Sequence, residues 1–95
     1  MLIVTATFRL VPGTDLEEFL AADERFEREF ADNLPGASGR MVGRNEDGQW
    51  IVIQCFESSE SFAGAAHATT GLDAVEALHR FIDFDTHVVS VYETP

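Results

Sequence analysis

Residues 38–56 read SGRMVGRNEDGQWIVIQCF, and they decide the fold. Residues 49–56 hold Trp50, Ile51, Val52, Ile53 and Phe56, an aromatic and β-branched run of strand length. Residues 38–44 alternate loosely and supply a partner strand. Asn45-Glu46-Asp47-Gly48 between them is a hairpin turn, because Asp-Gly accepts the positive φ that tight turns require. Upstream, residues 2–11 are rich in strand formers (Ile3, Val4, Thr5, Thr7, Phe8, Val11) and stop at Pro12-Gly13. Residues 14–33 place Leu16, Phe19, Leu20, Phe26 and Phe30 on one side at helical spacing. Thr14 or Asp15 caps this helix, and Glu17 and Glu18 occupy its first turn, where the dipole favours acids. Leu34-Pro35-Gly36 closes it. Downstream, residues 58–68 form a second helix with Ser58, Glu60 and Ser61 at its start and Phe62, Ala65, Ala66 and Thr69 on one face. Thr69-Thr70-Gly71 interrupts it. Residues 72–83 resume as helix, with Leu72, Val75, Leu78 and Ile82 inward, and residues 86–93 form the last strand.

The order is β-α-β-β-α-β, an α+β chain of the ferredoxin-like type filling one domain over residues 1–95. Its four-stranded antiparallel sheet is covered by helices on one face. Strands 1 and 3, apolar on both faces, belong in the centre. Strand 2, with Arg40, Arg44 and two glycines, suits an edge. The uncovered face exposes Ile and Val side chains, an unstable surface for a monomer, and a second copy packed sheet to sheet would cover it.

The net charge is −11 and all six positive side chains are Arg. Phosphate backbones would be repelled, which argues against nucleic acid as a partner. Single-stranded RNA binding on this topology would also need exposed aromatics and basic charge on strands 1 and 3. Without lysine, Schiff-base chemistry on a side-chain amine is excluded. Cys55 is the only cysteine, so no intrachain disulfide forms, as suits a reducing cytoplasm. The first residues lack the layout of a signal peptide, and no apolar run approaches the roughly 20 residues that span a bilayer, so no membrane partner is expected.

Asp23 is the anomaly. At about 100° per residue it falls between Phe19, Leu20 and Phe30 on the apolar face of the first helix. A buried, unpaired carboxylate costs several kcal/mol, so Asp23 has a partner, water or a task. It is either a pocket base able to take a proton from an acidic C–H or O–H, or the partner of an arginine such as Arg9 or Arg40. His79, on the inward face of the last helix, could meet it across a pocket as base and orienter; the competing reading is a core histidine bonded to backbone. Trp50 and Phe56 share a sheet face and could form an aromatic wall, with Gln54 on that face placed to bond a ligand carbonyl. Phe19 and Phe62 are further expected ligand contacts. His79, Asp83, Asp85 and His87 have metal-ligand chemistry, but their convergence would need a tight bend, and no metal is expected.

Several stretches together resemble the dimeric α+β barrel superfamily, specifically the antibiotic-biosynthesis-monooxygenase-like domains. They are Phe8-Arg9-Leu10-Val11-Pro12-Gly13, Leu34-Pro35-Gly36, Asp47-Gly48-Gln49-Trp50, Phe56-Glu57-Ser58-Ser59-Glu60-Ser61-Phe62 and Ala66-His67. The resemblance implies a homodimer and a ligand cleft between the first helix and the sheet. It also implies a cofactor-independent monooxygenase acting on a flat, apolar, aromatic or polyketide-like molecule. It marks His67 as a third catalytic candidate, although His67 lies about 140° from Phe62 on an ideal helix. The quinone-forming oxygenases of this group use Asn, Trp, Tyr and Arg around the pocket; Trp50 and Tyr92 supply two of those types. Haem degraders use an Asn on strand 1 and a Trp in helix 2, and this chain has neither. The alternative is a non-catalytic dimeric binding or interaction module of the same fold. Size measurement at micromolar concentration should return twice the 10.5 kDa chain mass; a monomer would remove the support for a sheet-to-sheet dimer.

Overall fold

The computed structural model describes residues 1–68 and 72–95. Its elements are β1 (Leu2–Leu10), α1 (Leu16–Glu29), a 3-10 turn at Ala31–Asn33, β2 (Ala37–Arg44), β3 (Trp50–Phe56), α2 (Ser59–Ala68), α3 (Asp73–His79) and β4 (Ile82–Glu93). Asp15 caps α1, its carboxylate accepting from Glu18 N–H at 3.1 Å, and the Ser58 hydroxyl accepts from Ser61 N–H at 3.2 Å to start α2. The hairpin turn closes through Asn45, whose N–H donates to the Gln49 carbonyl at 2.9 Å. The expected break at Thr69-Thr70-Gly71, and Thr69 on the α2 face, lie outside the described residues.

The strands form one antiparallel sheet in the order β2-β3-β1-β4, the ferredoxin-like α+β arrangement with β1 and β3 central. Register fixes the faces. Leu2 pairs with Phe56, Val4 with Gln54, Ala6 with Val52 and Phe8 with Trp50, so these residues share the helix-covered face. Two apolar clusters form there. Phe8, Phe19, Trp50, Leu78 and Ile82 make one. Leu2, Phe56 and Ala65 make the other. Phe19, with no exposed surface, meets Trp50 edge-on at 4.9 Å between centroids. The opposite face is uncovered and exposes Met41, Val88 and Tyr92.

Three expectations are corrected. Helix α3 ends at His79, and β4 begins at Ile82 instead of residue 86. Pairing of Ile82 with Leu10 and Asp83 with Arg9 captures the segment for the sheet, overriding its helical periodicity. Leu16 and Leu20 are exposed, since Phe19, Asp23 and Phe30 form the buried stripe and these leucines sit at its margin. Leu72 is also exposed, standing ahead of the first turn of α3 rather than inside a helix.

The β1–β4 ladder slips between Thr7 and Arg9. There Arg9 N–H donates to the Thr86 hydroxyl at 2.8 Å, and that hydroxyl donates to the Asp83 carbonyl at 2.7 Å. A side chain thus replaces a lost ladder bond in a β-bulge. Beyond it Thr7 pairs with Val88, which leaves His87 on the helix-covered face.

Gly36 has φ +76° and lies where a Cβ would overlap the Ser61 side chain. Gly39 has φ +63° and open space around it. Gly39→Ala should cost about 1–2 kcal/mol in denaturant unfolding, from the left-handed backbone alone. Gly36→Ala should cost clearly more, because strain and collision add.

Candidate functional site

The two apolar clusters do not meet, and the gap between them is a cleft of about 400 Å³ bounded by the sheet and the helices. That is within the size range of small-molecule sites. Val4, Ala6, Val52 and Gln54 form its floor, and Phe26, Phe30, Phe56 and Phe62 stand around it. Arg40 reaches it from β2 and His87 from β4, the two edges of the sheet. Their backbones are three strand spacings apart, roughly 14 Å. The cleft therefore runs across the sheet, with an ion pair toward one edge and two histidines toward the other.

Asp23, on the inner face of α1, accepts both contacts of a forked pair. Arg40 Nη2 donates to Oδ1 at 2.7 Å and Nη1 to Oδ2 at 3.2 Å. The two side chains are 12% and 4% exposed. Charge-assisted forks of this kind are strong and geometrically exacting. The Arg40 guanidinium also lies 5.0 Å from the Phe26 ring centroid, a cation–π contact. Its Nε is buried with no hydrogen-bond partner among the described residues. A buried donor left unmade costs about 1–3 kcal/mol.

His79 ends α3 at the mouth and is exposed to solvent on one side. Its ring meets Phe84 edge-on at 5.2 Å, and Phe84 is 5.1 Å from His87. Burial, first, and the neighbouring charge of His87, second, push the His79 pKa below its usual 6.5. His79 is thus a neutral imidazole at neutral pH. Among the described residues no group of three or more His, Cys, Asp or Glu gathers to hold a metal. His79 and Asp83 do not share a helix, which removes the spacing that suggested one.

Asp23, His79, Gln54 and Phe62 are brought together around the cleft. Phe19 and Trp50 lie beneath its wall in the packed core and do not line it. His67 is exposed on α2, away from the cleft. Tyr92 pairs with Ile3, one residue out of step with the inner face, and so stands on the uncovered side of the sheet, 58% exposed. Sequence reasoning did not place His87 in the cleft. Its inward position follows from the β4 bulge, for which the sequence carries no clear signal.

The chain matches no protein-family model and no curated protein. Solved structures do match. SnoaB, a cofactor-independent oxygenase from Streptomyces nogalater, superposes with a TM-score of 0.79 at 17% identity, covering 99% of this chain and 92% of that one. An antibiotic biosynthesis monooxygenase superposes at 0.69 and 13% identity, covering 100% and 99%. Rv0793 from Mycobacterium tuberculosis superposes at 0.74 and 13% identity, covering 99% and 94%. The chain has the fold of these antibiotic-biosynthesis-monooxygenase-like structures. Among the described residues no helix is long and apolar enough to cross a membrane.

Asp23→Ala should destabilise the chain by about 3–5 kcal/mol in chemical denaturation, because Arg40 would be left charged, buried and unpaired. His79 adds a pH dependence. Its pKa is lowered on folding, so between that lowered value and 6.5 the unfolded chain binds more protons. Stability should rise with pH across this window and level off above 6.5, and His79→Gln should flatten this part of the curve.

Proposed function

We propose that the cleft binds a flat, apolar small molecule bearing an acidic C–H or O–H, and that His79 removes that proton so the substrate reacts with dioxygen without a resident cofactor. The observation that carries this reading is an aromatic-walled cleft of about 400 Å³ with a neutral imidazole at its mouth. The four Phe rings suit a planar ring system. The similarity in fold to a cofactor-independent oxygenase supports it as analogy. Asp23 is the weaker base candidate, because both of its oxygens are engaged by Arg40.

The chemistry balances with dioxygen as the only oxidant. A methylene flanked by aromatic rings gives one proton to His79, and the electron pair spreads into the rings. The carbanion passes electrons to dioxygen and a C–O bond forms. The resulting peroxide takes the proton back from the imidazolium. Loss of the second C–H proton, with O–O cleavage, releases water and leaves a carbonyl. Methylene and dioxygen become carbonyl and water, and His79 ends neutral. The apolar walls keep competing water from the carbanion.

A second copy of the chain covers the exposed face of Met41, Val88 and Tyr92 in this reading. One observation favours a non-catalytic binding module instead: the closed Asp23–Arg40 fork leaves no free carboxylate in the cleft among the described residues.

Oxygen consumption with anthrone as substrate separates the two. The chain should accelerate uptake above the spontaneous rate. His79→Gln should remove about 10²- to 10⁴-fold of that acceleration, the usual contribution of a positioned base. The rate should also fall as acid protonates His79 below pH 6.5. Saturable anthrone binding with uptake no faster than background would favour the binding module.

A further inference from the structure

Converting a methylene to a carbonyl removes two protons from one carbon, and a base must lie within hydrogen-bond reach of the proton it takes. In a planar ring system the two C–H bonds of a methylene point to opposite faces of the ring plane. His79 reaches one face and takes the first proton. When dioxygen adds on the face just vacated, the remaining C–H points to the other face, away from His79.

A second imidazole stands on that other side. His79 ends α3 in the helical layer, whereas His87 rises from β4 on the helix-covered face of the sheet. Both line the cleft. A flat molecule lying between the two layers turns one face to each. The His87 ring is held between two others, with Phe8 at 6.3 Å between centroids and inclined by 31°, and Phe84 at 5.1 Å. The same Phe84 lies 5.2 Å from His79. The remaining polar side chains that line the cleft, among the described residues, do not serve as bases. Asp23 is held by Arg40, Arg40 is a cation, and the Gln54 amide has no basic atom.

We propose that His87 is a second catalytic residue, the base that takes the remaining C–H proton of a bound hydroperoxide and so converts it to a ketone and water. This rests on the reading of the cleft as a site where a flat C–H acid is oxidised, and it assigns the second half of that reaction. The His87 imidazole takes the C–H proton, and the C–H electron pair becomes the second carbon–oxygen bond. The O–O bond breaks with its electron pair on the departing oxygen. The hydroxide so formed takes the proton from the imidazolium and leaves as water. The peroxide bond is itself the electron acceptor, so this half needs no further oxidant. Charge on His87 disfavours a proton on His79, which suits a pair that takes its protons in turn.

9-Hydroperoxyfluorene, supplied to the full chain without dioxygen, isolates this step. Its conversion to fluorenone should run above the spontaneous rate. His87→Gln should remove about 10²- to 10⁴-fold of that acceleration, and His79→Gln at least about tenfold less. Oxygen uptake with anthrone should show the opposite order, with His79→Gln the slower variant. Should His87→Gln fail to fold, His87→Phe, which keeps a flat ring between Phe8 and Phe84, takes its place. No acceleration of hydroperoxide loss by the natural chain, an equal loss in the two variants, or a greater loss in His79→Gln overturns the proposal. If anthrone uptake is nonetheless accelerated, the cleft reading stands without it. If neither compound reacts faster than background, the reading of the cleft as an oxidising site falls as well.

Discussion

The Asp23–Arg40 fork is the constraint around which the helical layer is set. Aliphatic packing tolerates small slides of a helix over a sheet, since one methyl contact replaces another. A forked carboxylate–guanidinium pair does not, because both oxygens must meet both nitrogens in one plane. The pair fixes α1 along and about its axis relative to β2. It also holds Phe26 against the guanidinium and Phe30 at the cleft. Buried ion pairs are often no more stabilising than the apolar side chains that could replace them. The fork is therefore better understood through what it positions than through the energy it adds.

The core is divided, and the division creates the site. One cluster, around Phe19 and Trp50, is tightly interlocked by ring contacts. The other, around Phe56 and Ala65, lies toward the opposite end of the same sheet face. Phe8 and Leu78 border the cleft from the first cluster, and Phe56 and Ala65 border it from the second. Side chains lining an empty space lack dispersion partners on one side. A molecule filling the gap would supply those contacts and stabilise the folded chain in proportion to its affinity and concentration.

Much of this was legible in the sequence, for identifiable reasons. The hairpin turn at residues 45–48 and the runs of strand formers in β1 and β3, apolar on both faces, are local signals, and from them the strand order followed. Asp23 was conspicuous because its charge broke a helical stripe. Its partner was not legible, because sequence spacing does not report which face an arginine takes. Arg9 has the parity of the uncovered face, and its Nη1 donates to the Asp47 carbonyl at 2.7 Å, whereas Arg40 faces inward. Tyr92 was misjudged on the same ground of parity. The start of β4 was obscured because pairing with β1, a contact over seventy residues long in sequence, prevailed over local periodicity. The cleft itself had no signal, since a void is a property of packing and of no residue in particular.

The bulge in β4 has a consequence for how such a chain can change. In an unbroken strand, a single inserted or deleted residue turns every later side chain to the opposite face. The slip beside Arg9, bridged by the Thr86 hydroxyl, already divides β4 into two segments whose alternation is set separately. Residues 84–87 work like slack in a belt. Changes of length there can be taken up locally, while Ile82 stays in the core and residues beyond 88 keep their pairing with β1. The histidine at 87 can thus be advanced, withdrawn or replaced at the mouth without disturbing the sheet, which makes this short segment the most adjustable part of an otherwise tightly registered fold.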